Sequence, residues 1–169
     1  MNKKIEEAFN KQINAELFSA YLYYSMSSYF ESIGLKGFAH WMRIQAQEEL
    51  THADKFFGFI ADRGGRAQLT SIEGPKTNWE SPLDAFQDAL AHEQKISGLI
   101  HKLVDLSLDE RDHPSNTFLQ WFVSEQVEEE SSAHEVIDSL KLAGDGGMLF
   151  QLDKDLGQRV FTPPKAEGA

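Results

Sequence analysis

The chain has 169 residues, the size of one domain, and no cysteine, which excludes thiolate nucleophiles, Cys-ligated zinc, iron–sulfur clusters and a disulfide framework. Its 27 acidic residues against 16 Lys and Arg give a formal charge of −11, a balance that disfavours nucleic-acid and anionic-membrane surfaces and attracts cations. No apolar run approaches the roughly 18 residues of a membrane span, and Met1 to Glu7 carries no apolar signal core, so the expected location is the cytoplasm.

Punctuation at Gly34, Gly64-Gly65, Gly74-Pro75, Ser81-Pro82, His113-Pro114 and Gly144 to Gly147 separates four long segments, each with apolar residues at alternating spacings of three and four. The spacing predicts a first helix over 3–33 with the stripe Phe9, Ile13, Glu16, Ala20, Tyr23, Ser27 and Phe30. A second runs over 36–63 with Phe38, Met42, Gln45, Glu49, His52, Phe56 and Phe59. The third, 82–109, opens with Ser81 as cap and Pro82 at the first helical position, then shows Phe86, Leu90, Glu93, Ser97, Ile100 and Val104. The fourth, 114–143, has Phe118, Phe122, Gln126, Glu129, Ala133, Val136 and Leu140, with Gly144 as a left-handed stop. A short fifth helix over 148–157 carries Leu149, Leu152 and Leu156.

Short turns at Gly34 and Asp112 make the first pair and the second pair of long helices antiparallel hairpins. The link over 64–80 is different. Its roughly 17 residues can span about 56 Å, more than the about 42 Å of a 28-residue helix, so it can cross the full length of a bundle and set the second and third helices parallel. The expectation is an all-α, four-helix bundle with a long crossover and a short fifth helix, one domain over 1–169.

Each stripe is broken near its middle by a carboxylate: Glu16, Glu49, Glu93 and Glu129, with His52 one turn beyond Glu49. Each lies about 20–25 Å of helix from its hairpin turn, so within each hairpin the acids are level, and the crossover brings the two hairpins into register. Any one Glu on an apolar stripe is ordinary, and Glu-x-x-His recurs at Glu110 to His113, where it belongs to a polar turn. Four acids at one depth are another matter. Burying them costs several kcal/mol each unless cations or protons are present, and two divalent ions balance four carboxylates, with His52 adding a nitrogen donor. Oxygen-rich ligation with one imidazole suits iron or manganese. Glu49 and His52, at i and i+3, project to the same side of one helix.

The sequence resembles prokaryotic non-haem ferritins over essentially its whole length. The stretches that carry the likeness are Asn14-Ala15-Glu16 through Tyr21-Leu22-Tyr23, Gln47 to Ala53, Ala91-His92-Glu93 and Phe118 to Gln126. The resemblance implies an iron-storage subunit of a homo-oligomeric, 24-subunit shell. That subunit oxidises Fe(II) with O₂ or H₂O₂ at a di-iron ferroxidase centre. One iron would be held by Glu16, Glu49 and His52, with Glu49 bridging to a second completed by Glu93 and Glu129, and with Gln126 close by. A third iron site maps to Glu48, Glu125, Glu128 and Glu129, while Tyr23 and Trp121 correspond to aromatics that the family places near the centre. The pair Gln126-x-x-Glu129 stands where permanent di-iron centres have a second Glu-x-x-His, which implies a site that releases its iron.

Departures from related families are informative. Leu50 occupies the position of the bacterioferritin haem-binding Met, so no haem is expected, and the lack of cysteine excludes a rubrerythrin. The acids that line threefold pores in animal ferritins map to Asn116 and Leu119, leaving Asp109, Glu110, Asp112 and His113 as a substitute entry route or an ordinary polar turn. Two other classes share the pattern: a di-metal oxidase of an organic substrate, and a metal-free scaffold whose acids pair with Lys or Arg.

Overall fold

Each helix starts where the sequence supplies an acceptor or a turn for the free N–H groups of its first turn. The computed structural model describes residues 1–144 and 146–163, which form five helices: α1 (Lys3–Ser32), α2 (Lys36–Asp62), α3 (Pro82–Asp109), α4 (His113–Ala143) and α5 (Gly147–Leu156). Asn2 caps α1 through Lys4 N at 2.9 Å, Ser81 caps α3 through Asp84 N at 3.1 Å with Pro82 following it, and Asp112 caps α4 through Ser115 N at 3.2 Å. Gly144 ends α4 at φ 56°, but with ψ −145° rather than the left-handed helical value expected from the sequence.

The crossover runs the length of α1, held by polar side chains in place of secondary structure. Asn10 bonds Arg66 O at 3.2 Å, Asn14 bonds Thr70 and Ser71 at 2.9 and 3.1 Å, and Ser25 donates to Lys76 O at 2.6 Å. Trp79 then packs edge-on against Tyr29 near the end of α1. The second hairpin therefore begins where α2 begins: Phe38 and Trp41 lie 5.9 and 5.0 Å from Phe86, ring to ring. Helices α2 and α3 are parallel.

Two apolar clusters fill the bundle. One, around Met26, Phe30, Phe38, Met42, Phe86 and Ile137, lies toward the starts of α2 and α3. The other, around Phe9, Ile13, Phe56, Ile60, Ile100 and Phe122, lies toward their ends. Between them sits a polar layer. The α3 stripe differs in detail from the sequence expectation, because Leu90 and Val104 are half-buried while Ala89, Ile96 and Leu103 turn inward. A strict seven-residue reading drifts about 20° per heptad on a straight helix, enough to shift the inward residue by one position. Phe59 and Phe118 are also only half-buried and stack on each other at 4.1 Å.

Helix α5 docks through a side chain that does the capping Leu35 cannot. Asp153 Oδ1 accepts from Gly37 N at 2.8 Å and Phe38 N at 3.0 Å, where the positive end of α2 favours an anion. The approach requires a glycine, since a Cβ on Gly37 would fall 1.6 Å from the Asp153 carbonyl oxygen. Gly37→Ala is therefore expected to dislodge α5 and cost about 1–3 kcal/mol, a fall of roughly 2–10 °C in thermal midpoint. An unchanged midpoint in a calorimetric scan would contradict this docking.

At the α3–α4 turn Arg111 adopts φ 53° and the acids pair within the chain. Asp112 receives two hydrogen bonds from the Arg63 guanidinium at 3.0 and 3.2 Å, and Glu110 binds Asn2 and Lys4. Of the two mapped pore positions, Leu119 is fully buried inside the bundle and Asn116 donates to Ser107 Oγ at 3.2 Å. The pairing ties Glu110 and Asp112 into a polar turn, while Asp109 and His113 are exposed.

Candidate metal centre

The polar layer is built by all four long helices. Glu16 comes from α1, Glu49 and His52 from α2, Glu93 from α3, and Gln126 and Glu129 from α4, and every one of them is buried. Ligand atoms of Glu16, Glu49 and His52 lie within 4.8 Å of one another, as do those of His52, Glu125 and Glu129. His52 joins the two groups: its Nδ1 is 3.4 Å from Glu49 Oε2 and its Nε2 is 3.9 Å from Glu125 Oε1.

Neutral donors orient the carboxylates without neutralising them. Gln12 donates to Glu16 Oε1 at 2.9 Å, the Tyr23 hydroxyl donates to Glu93 Oε1, and Gln45 donates to Glu129 Oε2. Gln126 donates to the Glu93 carbonyl and to Glu93 Oε2, both at 3.2 Å, so its amide nitrogen faces the acid. Three acceptors remain. Glu16 Oε2, Glu49 Oε1 and His52 Nε2 are buried with no hydrogen-bond partner among the described residues, and leaving a buried polar atom unpaired costs about 1–3 kcal/mol. The three residues are the ones whose ligand atoms converge, and a cation held there would satisfy them.

The electrostatics point the same way. Burial raises the carboxyl pKa of Glu16, Glu49 and Glu93, and the Glu93 charge pushes Glu49 further up. Burial and then Glu93 lift Glu129 to about 8. For His52, burial disfavours the charged ring, but Glu49, Glu125 and Glu16 outweigh it and the pKa rises well above its ordinary value. A metal-free layer of this kind holds protons, and divalent ions would take their place.

The remaining residues singled out from the sequence fall in different places. Trp121 packs edge-on to the His52 ring at 5.5 Å, with Lys55 Nζ 4.1 Å from the indole centroid. Glu125 is half-buried beside His52, whereas Glu128 is exposed and belongs to neither group of converging ligand atoms. The Glu48 carboxylate is paired with Arg159 at 2.6 Å. His92 turns away to Ser19 Oγ at 2.7 Å, and burial, with Lys95, lowers its pKa to about 4.

Sequence reasoning missed three participants. Gln12 lies four residues before Glu16, and Gln45 four before Glu49, so helical spacing placed both on the inward face without showing which acid each would bond. Arg159 had no such signal, because it arrives from beyond α5.

The profile of the ferritin-like domain matches residues 6–143, which include every carboxylate of the layer. The chain belongs to the ferritin-like family. It is 45% identical to a bacterial non-heme ferritin of Bacteroides fragilis (strain 638R) over 159 residues, covering 94% of this chain and 99% of the relative. Identity to the bacterial non-heme ferritin of Staphylococcus haemolyticus (strain JCSC1435) is 38% over 162 residues, covering 95% and 98%. Among solved structures, an engineered closed form of the Archaeoglobus fulgidus ferritin superposes with a TM-score of 0.95 at 52% identity, covering 96% of this ferritin-like chain and 99% of that one. The open-pore ferritin of the same archaeon gives a TM-score of 0.93 at 51% identity, covering 95% and 99%.

Proposed function

We propose that this chain is an iron-storage ferritin subunit that oxidises Fe(II) within its own bundle. The observation that carries the reading is the buried layer of four carboxylates and His52, with three ligand atoms lacking a hydrogen-bond partner among the described residues. In this reading two Fe(II) ions are the substrate. Glu16, Glu49 and His52 hold one, Glu93 and Glu129 hold the other, and Glu49 lies between them. Four negative charges match two divalent ions, and carboxylate oxygens favour the harder Fe(III), which lowers the iron's reduction potential. Two Fe(II) together give two electrons to O₂, which takes up two protons as H₂O₂, or to H₂O₂, which takes up two protons as two waters.

The protein's part is binding, geometry and charge. Gln12, Gln45, Tyr23 and Gln126 fix the carboxylates by neutral hydrogen bonds, leaving their charge for the metal. Gln126 acts as a donor to Glu93 rather than as a ligand, in keeping with a centre that passes its iron on. Fe(III) then moves to a mineral store in a hollow homo-oligomer of 24 subunits, with α5 at the fourfold axes. No haem is assigned. The acidic balance fits a protein that binds neither nucleic acid nor membrane and works in the cytoplasm, and no described helix is long and apolar enough to cross a membrane.

Aerobic addition of Fe(II) to the metal-free protein tests the reading, with ferric absorbance and particle mass followed together. The expected result is a fast phase ending near two irons per chain, then continued loading into a large particle, with consumption of O₂ or added H₂O₂ identifying the oxidant. Oxidation no faster than in buffer, with a small particle, would overturn it.

A further inference from the structure

Beyond α5 the chain turns back along α2 and places Arg159 beside the centre. Four contacts fix it. Nη2 lies 2.6 Å from Glu48 Oε2, Nη1 lies 2.8 Å from Gln45 Oε1, the guanidinium sits 4.3 Å from the Trp41 ring centroid, and the Arg159 carbonyl accepts from His40 Nε2 at 2.8 Å. A guanidinium held in plane by a stacked indole and a second acceptor loses little further freedom on binding a carboxylate, so this ion pair is stronger than a free surface pair.

Arg159, His52 and Glu125 are the charged neighbours that act on the Glu48 carboxyl, and His52 and Glu125 themselves bring ligand atoms together with Glu129. Resting on the di-iron reading above, we propose that Arg159 is a tethered competitor for a third divalent cation. It occupies the Glu48 carboxylate, so the chain takes two ions readily and a third only by displacing the guanidinium. The same displacement frees Gln45, which donates to Glu129 Oε2 on its other side. Uptake of a third ion thereby loosens the grip on an acid of the centre, while Asp153 keeps α5 docked.

Anaerobic calorimetric titration of the assembled, metal-free protein with Co(II), followed also by visible absorption, tests this. The unaltered protein is expected to bind two ions per chain and a third more weakly. Arg159→Gln and Arg159→Ala are each expected to tighten the third ion about tenfold, and Arg159→Lys, which keeps the charge within reach of Glu48, to stay close to the unaltered value. Adding Glu48→Gln to Arg159→Ala should abolish the gain. A third-ion affinity that is equal in the unaltered protein and both neutral variants overturns the proposal, as does a gain that survives Glu48→Gln. Fewer than two Co(II) per chain in the unaltered protein overturns the di-iron reading itself, a result separable from either.

Discussion

Glu49→Gln is expected to slow Fe(II) oxidation at least about 100-fold while making the metal-free protein more stable. The two effects have one origin. Glu49 is buried next to Glu16 and His52, feels the Glu93 charge, and has one carboxylate oxygen with no hydrogen-bond partner among the described residues. In the proposed centre its substitution removes the oxygen donor assigned to both ions, and loss of even an outlying partner of a metal ligand costs 10–100-fold in affinity or activity. In the metal-free protein the same carboxyl is a liability, since it stays buried only by taking up a proton that the unfolded chain does not bind at neutral pH, and an isosteric neutral amide avoids that cost. A gain of about 1–3 kcal/mol, or roughly 2–10 °C in midpoint, is expected. Stopped-flow ferric absorbance and calorimetry of the metal-free variant measure the pair. A variant that oxidises iron at the normal rate overturns the ligand role, and one that is less stable shows that the carboxylate is structural. Glu129→Gln is expected to behave alike in rate.

The second large effect is on pH. The metal-free protein is expected to lose stability as pH rises from about 5 to 8, against the habit of proteins held by ion pairs. The folded-state pKa values of Glu16, Glu49 and Glu93 lie above the ordinary carboxylate value, and that of Glu129 is about 8. Between the two values the folded chain binds protons that the unfolded chain does not, so stability is full below the unfolded pKa and falls through the folded one. His52, raised for its own reasons, acts with the same sign. Each proton so retained takes about 1.4 kcal/mol of stability per pH unit.

Asp112 provides the opposite limb. Burial acts to raise its pKa, but the Arg63 pair and the Ser115 N–H lower it, and the stability it contributes is lost as pH falls through that lowered value. The optimum of the metal-free protein should therefore lie near pH 5, and excess Zn(II) should remove the loss on the alkaline side by replacing the protons. Melting curves from pH 4 to 8 with chelator and with Zn(II) decide this. A midpoint that climbs steadily to pH 8 without metal would show that the layer is already compensated by other charges.

How much of the centre could be read from the sequence depends on the range of the interaction. Glu16, Glu49, His52, Glu93 and Glu129 were legible because a polar residue on an apolar stripe is conspicuous, and because helical rise converts sequence distance into depth. Glu125 and Glu128 both mapped to the third iron site, yet one is half-buried against His52 and the other is exposed. A single turn of helix separates those outcomes, and the pattern of charges alone does not resolve it. Tyr23 was legible as an inward aromatic, but its hydrogen bond to Glu93 depends on how closely α1 approaches α3.

By itself the sequence determined the helices, the Ser81 cap of α3, the parallel setting of α2 and α3, and the level at which the carboxylates meet. All of these follow from local spacing, from turn residues and from the reach of a 17-residue link. The tertiary structure alone decided which neutral donor holds which acid, that the acids of the α3–α4 turn are spent on Arg63, Lys4 and Asn2, and that Arg159 returns to cover Glu48. Apart from Gln12 and Glu16, one helical turn apart on α1, those pairings join residues 33 to 111 positions apart. They are set by the docking of whole helices, by Gly37 against Asp153 for instance, and sequence periodicity carries no signal for a contact of that range.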